Sequence, residues 1–205
     1  LESDRRLGVS GAQGPFAGPT SARSAGNGTI IRLAPVPMFY SPDREKIAHL
    51  SGESSRTTHG SHECVEACRL FGLILANALD GLAKDSVLLK HGYAVDSASP
   101  VSISDLAAGA YLDKSREEIC GSGYVVYSLE AALWSFNQTQ SFREAILMAV
   151  NLGNDADTTA SVCGQVAGAF YGASGIPDDW LKTLCMRGII ESLADCLCGA
   201  EADSS

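Results

Sequence analysis

From about residue 43 onward, apolar residues return at three- and four-residue steps, the period of helices with a buried face. In SHECVEACRLFGLILANALDG (61–81) that row is Val65, Cys68, Phe71, Leu75 and Leu79, and Asp80-Gly81 supplies a C-terminal stop. Ser102 and Asp105 have capping-box spacing ahead of LAAGAYL, YVVYSLEAALWSF repeats the helical period, and Ser141 with Glu144 opens FREAILMAV. A last helix is predicted after Pro177, through DDWLKTLCMRGIIESLADCLC. Strand-like alternation is nearly absent. The pattern predicts an all-α fold, a compact multi-helix bundle in one domain over residues 1–205, without internal repeats. Residues 1–28, rich in Gly, Pro, Ser and Ala, show neither period and are expected to form a long ordered loop or a frayed start. A stretch of that length inside a compact domain is usually functional.

Composition narrows the classes. A net charge of −9 over 205 residues argues against a broad basic face, so neither nucleic acid nor an anionic membrane is an expected partner. The seven cysteines (64, 68, 120, 163, 185, 196, 198) contain no C-x-x-C pair. They read as buried small apolar residues in a reducing cytosol. No apolar run reaches membrane-spanning length, and LESDRRLG at the start lacks the hydrophobic stretch of a signal peptide. A soluble, cytoplasmic protein is expected.

The densest chemistry lies in NLGNDADTTA (151–160), between FREAILMAVNLG and TTASVCGQVAGAFYG. Asp155 and Asp157 fall at or just before a helix N-terminus, beside unpaired backbone N–H groups. One reading is plain helix capping, contributing about 1 kcal/mol. The other is a metal site, because two carboxylates and the Thr158 hydroxyl within four residues are hard oxygen donors suited to Mg²⁺ or Mn²⁺. An EF-hand is excluded, since Ala160 and Val166 stand where its turn glycine and bidentate Glu belong. Gly164, Gly168 and Gly172 recur at four-residue steps in the following helix, each costing about 1 kcal/mol against Ala. They predict close backbone packing and a central position for that helix.

Two further loops carry polar groups. Gly26-Asn27-Gly28, in RSAGNGTIIRLAPVPMFY, is either a hairpin turn or a backbone nest whose N–H groups converge on an anion. Arg32, Pro35 and Pro37 read equally well as packing features. His59, in SSRTTHGSHE, lies in a polar loop ahead of a helix, where a surface histidine is the default. Tyr124, in CGSGYVV, either stacks on a base or caps the core.

Taken together, SAGNGTIIRLAPV (24–36), RTTH (56–59), GSGYVVYSLEAALWSF (121–136) and NLGNDADTTASVCGQVAGAFYG (151–172) resemble the ADP-ribosylglycohydrolase family, and IPDDWL (176–181) extends the likeness. The resemblance implies an all-α fold with a cleft for two divalent ions, Mg²⁺ or Mn²⁺, over which the ADP-ribose of a modified protein or small molecule binds. It implies metal-ligand and catalytic roles for Asp155 and Asp157, and a metal-ligand role for Thr158. Ser24, Gly26, Asn27 and Gly28 would form a phosphate-binding loop. His59, Gly121, Ser122, Gly123 and Tyr124 would contact ADP-ribose.

The implied reaction is metal-dependent cleavage of the glycosidic bond between ADP-ribose and its acceptor. Family members also carry an N-terminal Thr-Asp-Asp metal cluster, which is not found in these 205 residues. The only adjacent aspartates, Asp178 and Asp179, follow Pro177 at a helix start, where capping is the natural role. Two ions bring four positive charges and the visible motif brings two negative ones. The chain is therefore expected to correspond to the C-terminal portion of the family's domain, with an N-terminal segment of the same protein as a partner. The alternative is a non-catalytic ADP-ribose-binding or structural protein on the same scaffold.

Overall fold

The computed structural model describes residues 15–199. Among them lie ten helices: α1 Pro35–Tyr40, α2 Arg44–Arg56, α3 His62–Leu79, α4 Lys84–Leu89, α5 Val101–Ala107, α6 Val125–Asn137, α7 Phe142–Val150, α8 Ala156–Tyr171, α9 Asp178–Thr183 and α10 Arg187–Gly199. Short 3-10 turns occupy Ala22–Ser24 and Asn27–Thr29. No strand forms among the described residues, where Gly26 and Tyr124 make an isolated antiparallel bridge. The all-α expectation holds. No helix among these residues is long and apolar enough to cross a membrane.

α3 is the axis of the bundle. Ser61 caps it by accepting from the Cys64 N–H, and it ends at Asp80 ahead of Gly81, whose φ of +71° suits a residue without a side chain. Nearly every residue from Cys64 to Ala78 is buried, a helix enclosed on all sides rather than along one stripe. Leu79, placed on that stripe by its spacing, is 38% exposed. α3 touches α1, α2, α4, α5, α6 and α8. Burying each of Leu70, Phe71 and Ile74 contributes roughly 1.5–3 kcal/mol.

Several local expectations are corrected. The 102–105 capping box does not form: α5 starts at Val101 behind Pro100, so Ser102 lies inside the helix and its hydroxyl turns to Glu63. Half of the 141–144 box forms, with Ser141 accepting from the Glu144 N–H, while Glu144 reaches the Gln140 N–H instead. α1 begins on Pro35, before the helical pattern was expected, because proline fits a first turn. The single final helix is two helices separated by extended Leu184 and by Met186 at φ +59°. Tertiary contacts divide them: Trp180 of α9 packs edge-on against Phe142 of α7 at 6.2 Å, whereas α10 packs on α1. Asp178 and Asp179 fall in the first turn of α9, with Pro177 at the cap and no side-chain cap bond.

The glycines of α8 do not admit another backbone. A Cβ on Gly164 or Gly168 would meet side-chain atoms of Ile146 and Phe142 at ordinary contact distances, and Gly172 lies beyond the helix at φ +71°. α8 buries one face, through Thr159, Val162, Cys163, Val166 and Ala167, against α3, α6 and α7. Close approach occurs instead between α2 and α3, where a Cβ on Gly72 would lie 2.3 Å from the Ser51 hydroxyl. Cys64, Cys68 and Cys163 are buried as expected, but Cys120, Cys185, Cys196 and Cys198 are exposed.

Candidate functional site

Three loops converge at the start of α8. Residues 15–28 form an ordered loop along the end of α2, with the Gly18 N–H on the Arg56 carbonyl and the Gly60 N–H on the Pro19 carbonyl, both at 3.0 Å. The beginning of the predicted 1–28 loop, residues 1–14, lies outside the described residues. Gly26-Asn27-Gly28 is no hairpin; its neighbour is the 121–124 loop, nearly a hundred residues on. The Asn27 N–H donates to the Gly123 carbonyl and the Val125 N–H to the Ala25 carbonyl, each at 3.0 Å. The Asp155 N–H donates to the Gly121 carbonyl at 3.1 Å.

Asn27 joins all three. Its buried side-chain amide lies 2.6 Å from Asp155 Oδ2, 3.2 Å from the Ser122 carbonyl and 3.3 Å from Ser128 Oγ. An amide has two protons for these three acceptors, and the shortest contact goes to the charged one. That bond holds the Asp155 carboxyl below its ordinary range, against a smaller opposing effect of burial, and Thr158 and Asp157 add to the lowering. Asp155 is by position the N-cap of α8, yet its side chain makes no bond to that helix's N–H groups. The chain reaches this point through Gly153 at φ +78° and Asn154 at φ +55°, and asparagine is among the few side chains that accept the left-handed region.

The nest expected at 24–28 is largely filled from within. The N–H groups of Ser24, Gly26 and Asn27 donate to the carbonyls of Ser21, Ser24 and Gly123. The Ser24 hydroxyl faces the Ser21 and Pro19 carbonyls at 2.6 and 3.1 Å. An anion at this loop therefore meets Gly28 and side chains around it rather than a row of free N–H groups. Ser24, Gly26, Gly123 and Tyr124 line, with Ala22, Arg23 and Ala25, a shallow depression of about 330 Å³.

His59 is not a free surface residue. Its ring covers the loop, with Nε2 3.2 Å from where a Gly26 Cβ would sit and Cε1 3.1 Å from that of Gly28. Burial first, then the nearby Arg32 charge, push its pKa below 6.5. Arg32 in turn binds the Ser54 carbonyl and the Thr57 and Thr58 hydroxyls at 2.8–3.0 Å, anchoring the His59 loop. Tyr124 is half-buried and edge-on to Tyr127 at 5.1 Å. Burial and its hydrogen bond to Glu63 raise the phenol to about 12, so it remains a donor.

The structure thus brings Gly26, Asn27, Gly28, His59, Gly121, Ser122, Gly123, Tyr124 and Asp155 together. Asp157, exposed in the first turn of α8, and Thr158 stand beside them without a hydrogen bond to either loop. Carboxylate and hydroxyl oxygens fit a hard divalent ion, and Asn27 leaves Asp155 Oδ1 available. The donor number fits only an edge of a two-ion centre, since no group of three or more His, Cys, Asp or Glu side chains that could hold a metal occurs among the described residues.

Three groups went unnoticed in the sequence. Gln165 of α8 donates to the Ile30 carbonyl at 2.9 Å and accepts from the Ala34 N–H at 2.9 Å, fastening α8 to the chain behind the Asn27 turn. A lone Gln among the small and apolar residues from Val162 to Phe170 is the signal it offers. Thr159 Oγ1 is buried without a hydrogen-bond partner and lies 2.7 Å from where a Gly121 Cβ would sit. Glu63 is spaced as a first-turn acid of α3 and instead binds the hydroxyls of Tyr124 and Ser102.

Comparison with known proteins points the same way. A sequence model of the ADP-ribosylglycohydrolase family matches residues 3–205. The ADP-ribosylarginine hydrolase Tri1 of Serratia proteamaculans (strain 568) is 39% identical over 87% of this chain and 48% of its own length. That of Pseudomonas putida (strain GB-1) is 41% identical over 95% of this chain and 50% of its own. A solved structure titled "ADP-ribosylglycohydrolase-related protein complex" superimposes with a TM-score of 0.82 at 34% identity, covering 95% of this chain and 65% of that one. The chain spans about half the length of these two hydrolases.

Proposed function

The chain belongs to the ADP-ribosylglycohydrolase family, and from that premise we propose that the full-length protein is a metal-dependent hydrolase that removes ADP-ribose from an acceptor, with the arginine side chain of a modified protein as the acceptor. The arginine linkage is supported by the 39% and 41% identity to two ADP-ribosylarginine hydrolases. One observation carries the site: Asp155 begins a helix without capping it and is held by Asn27 where three loops meet.

Asp155, Asp157 and Thr158 would hold Mg²⁺ or Mn²⁺, with the remaining ligands on a segment outside this chain. A bound divalent ion supplies positive charge that orients ribose hydroxyls and a water. The chain's own residues do the rest. Asn27 fixes the direction of the Asp155 carboxylate, the Gly28 N–H and the side chains beside it would receive the diphosphate, and Tyr124 would form a wall for the nucleoside. Cleavage would break the bond between the anomeric carbon and the acceptor nitrogen, which leaves protonated, as water bonds to that carbon and gives up a proton; positive charge grows on the sugar in between, and the carboxylates of α8 would temper its repulsion by the cations they hold.

The test is release of ADP-ribose from an arginine-modified protein. Asp155→Asn with Asp157→Asn is expected to lower the rate by about two orders of magnitude or more, the scale on which removing a transition-state partner acts, with helical content unchanged by circular dichroism. Release at the wild-type rate would reject the assignment. The two-carboxylate count favours one second reading, an ADP-ribose-binding protein without turnover, and saturable binding with no release in Mg²⁺ or Mn²⁺ would establish it.

A further inference from the structure

Glu63 has no role in the site as proposed and sits in the first turn of α3. Its own helix does not use it, since Ser61 supplies the cap. Instead Glu63 Oε1 accepts hydrogen bonds from two hydroxyls on different elements, Tyr124 Oη ahead of α6 and Ser102 Oγ on α5, the latter at 2.9 Å. The same turn of α3 also touches the Asn27 loop, where Cys64 Sγ lies 3.4 Å from the Gly26 carbonyl.

Tyr124 is thereby fixed at both ends. The bridge to Gly26 holds its backbone, its N–H reaches Ser122 Oγ at 3.3 Å, and Glu63 holds the far end of its ring. Tyr124 lines the depression together with Ser24, Gly26 and Gly123. A tyrosine free to turn about its side-chain torsions would lose that freedom on binding a ligand. One already held does not, which is preorganisation.

We propose that Glu63 is a positioning residue for ligand binding: through the Tyr124–Glu63–Ser102 network it sets the Tyr124 ring as a rigid wall for the nucleoside part of an ADP-ribosyl ligand. This rests on the ADP-ribose reading of the site. Glu63 touches no reacting atom, so its effect falls on affinity and KM rather than on kcat. A glutamine at this position would retain the accepting oxygen, so Glu63→Gln preserves the network and Glu63→Ala removes it.

Calorimetric titration of the full-length protein with free ADP-ribose tests this. Glu63→Ala is expected to weaken binding about three- to tenfold, Glu63→Gln to stay within about twofold of wild type, and KM for the modified protein to rise with kcat within about twofold. Tyr124→Phe, which keeps the ring and loses only the hydroxyl, should match Glu63→Ala, and the double variant should be no weaker than either single one. Should Glu63→Ala fold poorly, the Tyr124→Phe and Glu63→Gln pair carries the test alone. Wild-type affinity in Glu63→Ala or Tyr124→Phe, equal loss in Glu63→Gln and Glu63→Ala, or additive losses in the double variant would each overturn the positioning role while the ADP-ribose site stands. No saturable binding by the wild-type protein would overturn the site, and the inference with it.

Discussion

Asp43 and Asp155 occupy the same place, the residue before the first turn of a helix, and use it differently. Asp43 caps α2: its Oδ1 accepts the Lys46 N–H at 3.0 Å and its Oδ2 lies 3.6 Å from Lys46 Nζ. Asp155 forgoes that bond at α8 and gives Oδ2 to Asn27, 128 residues away in the chain. The first arrangement is complete within four residues and stabilises one helix. The second leaves helix N–H groups unserved in order to fix a carboxylate against two loops, a cost in local stability that marks a site. An aspartate ahead of a helix is thus not defined by position alone; its partner decides.

Gly121→Ala strikes the loop behind Asp155, where a Cβ would lie 2.7 Å from the buried Thr159 hydroxyl. It should lower stability by about 1–3 kcal/mol in urea unfolding, the usual cost of overpacking, and a wild-type midpoint would mean that the loop is not held against α8. Next in size is the pair of alanine substitutions. Asp43→Ala should cost about 1 kcal/mol, the value of an N-cap; Asp155→Ala should cost no less, through the lost bond to Asn27, and that loss should largely vanish in an Asn27→Ala background, whereas an undiminished loss there would make Asp155 an ordinary cap after all.

The smallest effect concerns the lid on the Asn27 loop. His59 has a folded pKa below 6.5, so between that lowered value and 6.5 the unfolded chain binds more protons than the folded one. Its contribution to stability is complete above about 6.5 and declines as the pH falls through that window. NMR titration should place the ring below 6.5, and Arg32→Met should raise the value without restoring it, because burial is the larger cause. A midpoint at or above 6.5 would place the ring in solvent rather than on the loop.

Much of the fold was legible because helices announce themselves locally. The cap at Ser141 and the stop at Gly81 lie within a few residues of what they act on. Where distant contacts decide, the sequence misled: Ser102 left its expected cap for Glu63, and the last helix divided because Trp180 and α10 pack on different neighbours. The same rule divides the site. Asp155 and Asn27 were found through their motifs and the family resemblance. That Asn27 grips Asp155, that Gln165 fastens α8 to the Ile30–Ala34 segment and that Glu63 holds Tyr124 rest on pairs 128, 131 and 61 residues apart, which no local spacing reveals.

On the proposed reading, Asp155 and Asp157 form a cation-holding edge rather than a helix cap. Electron paramagnetic resonance of Mn²⁺ titrated into the full-length protein tests it without reference to catalysis. The free-ion signal should be quenched by the wild-type protein and persist with Asp155→Asn, Asp157→Asn. Equal Mn²⁺ uptake by both proteins, or none by either, would contradict it.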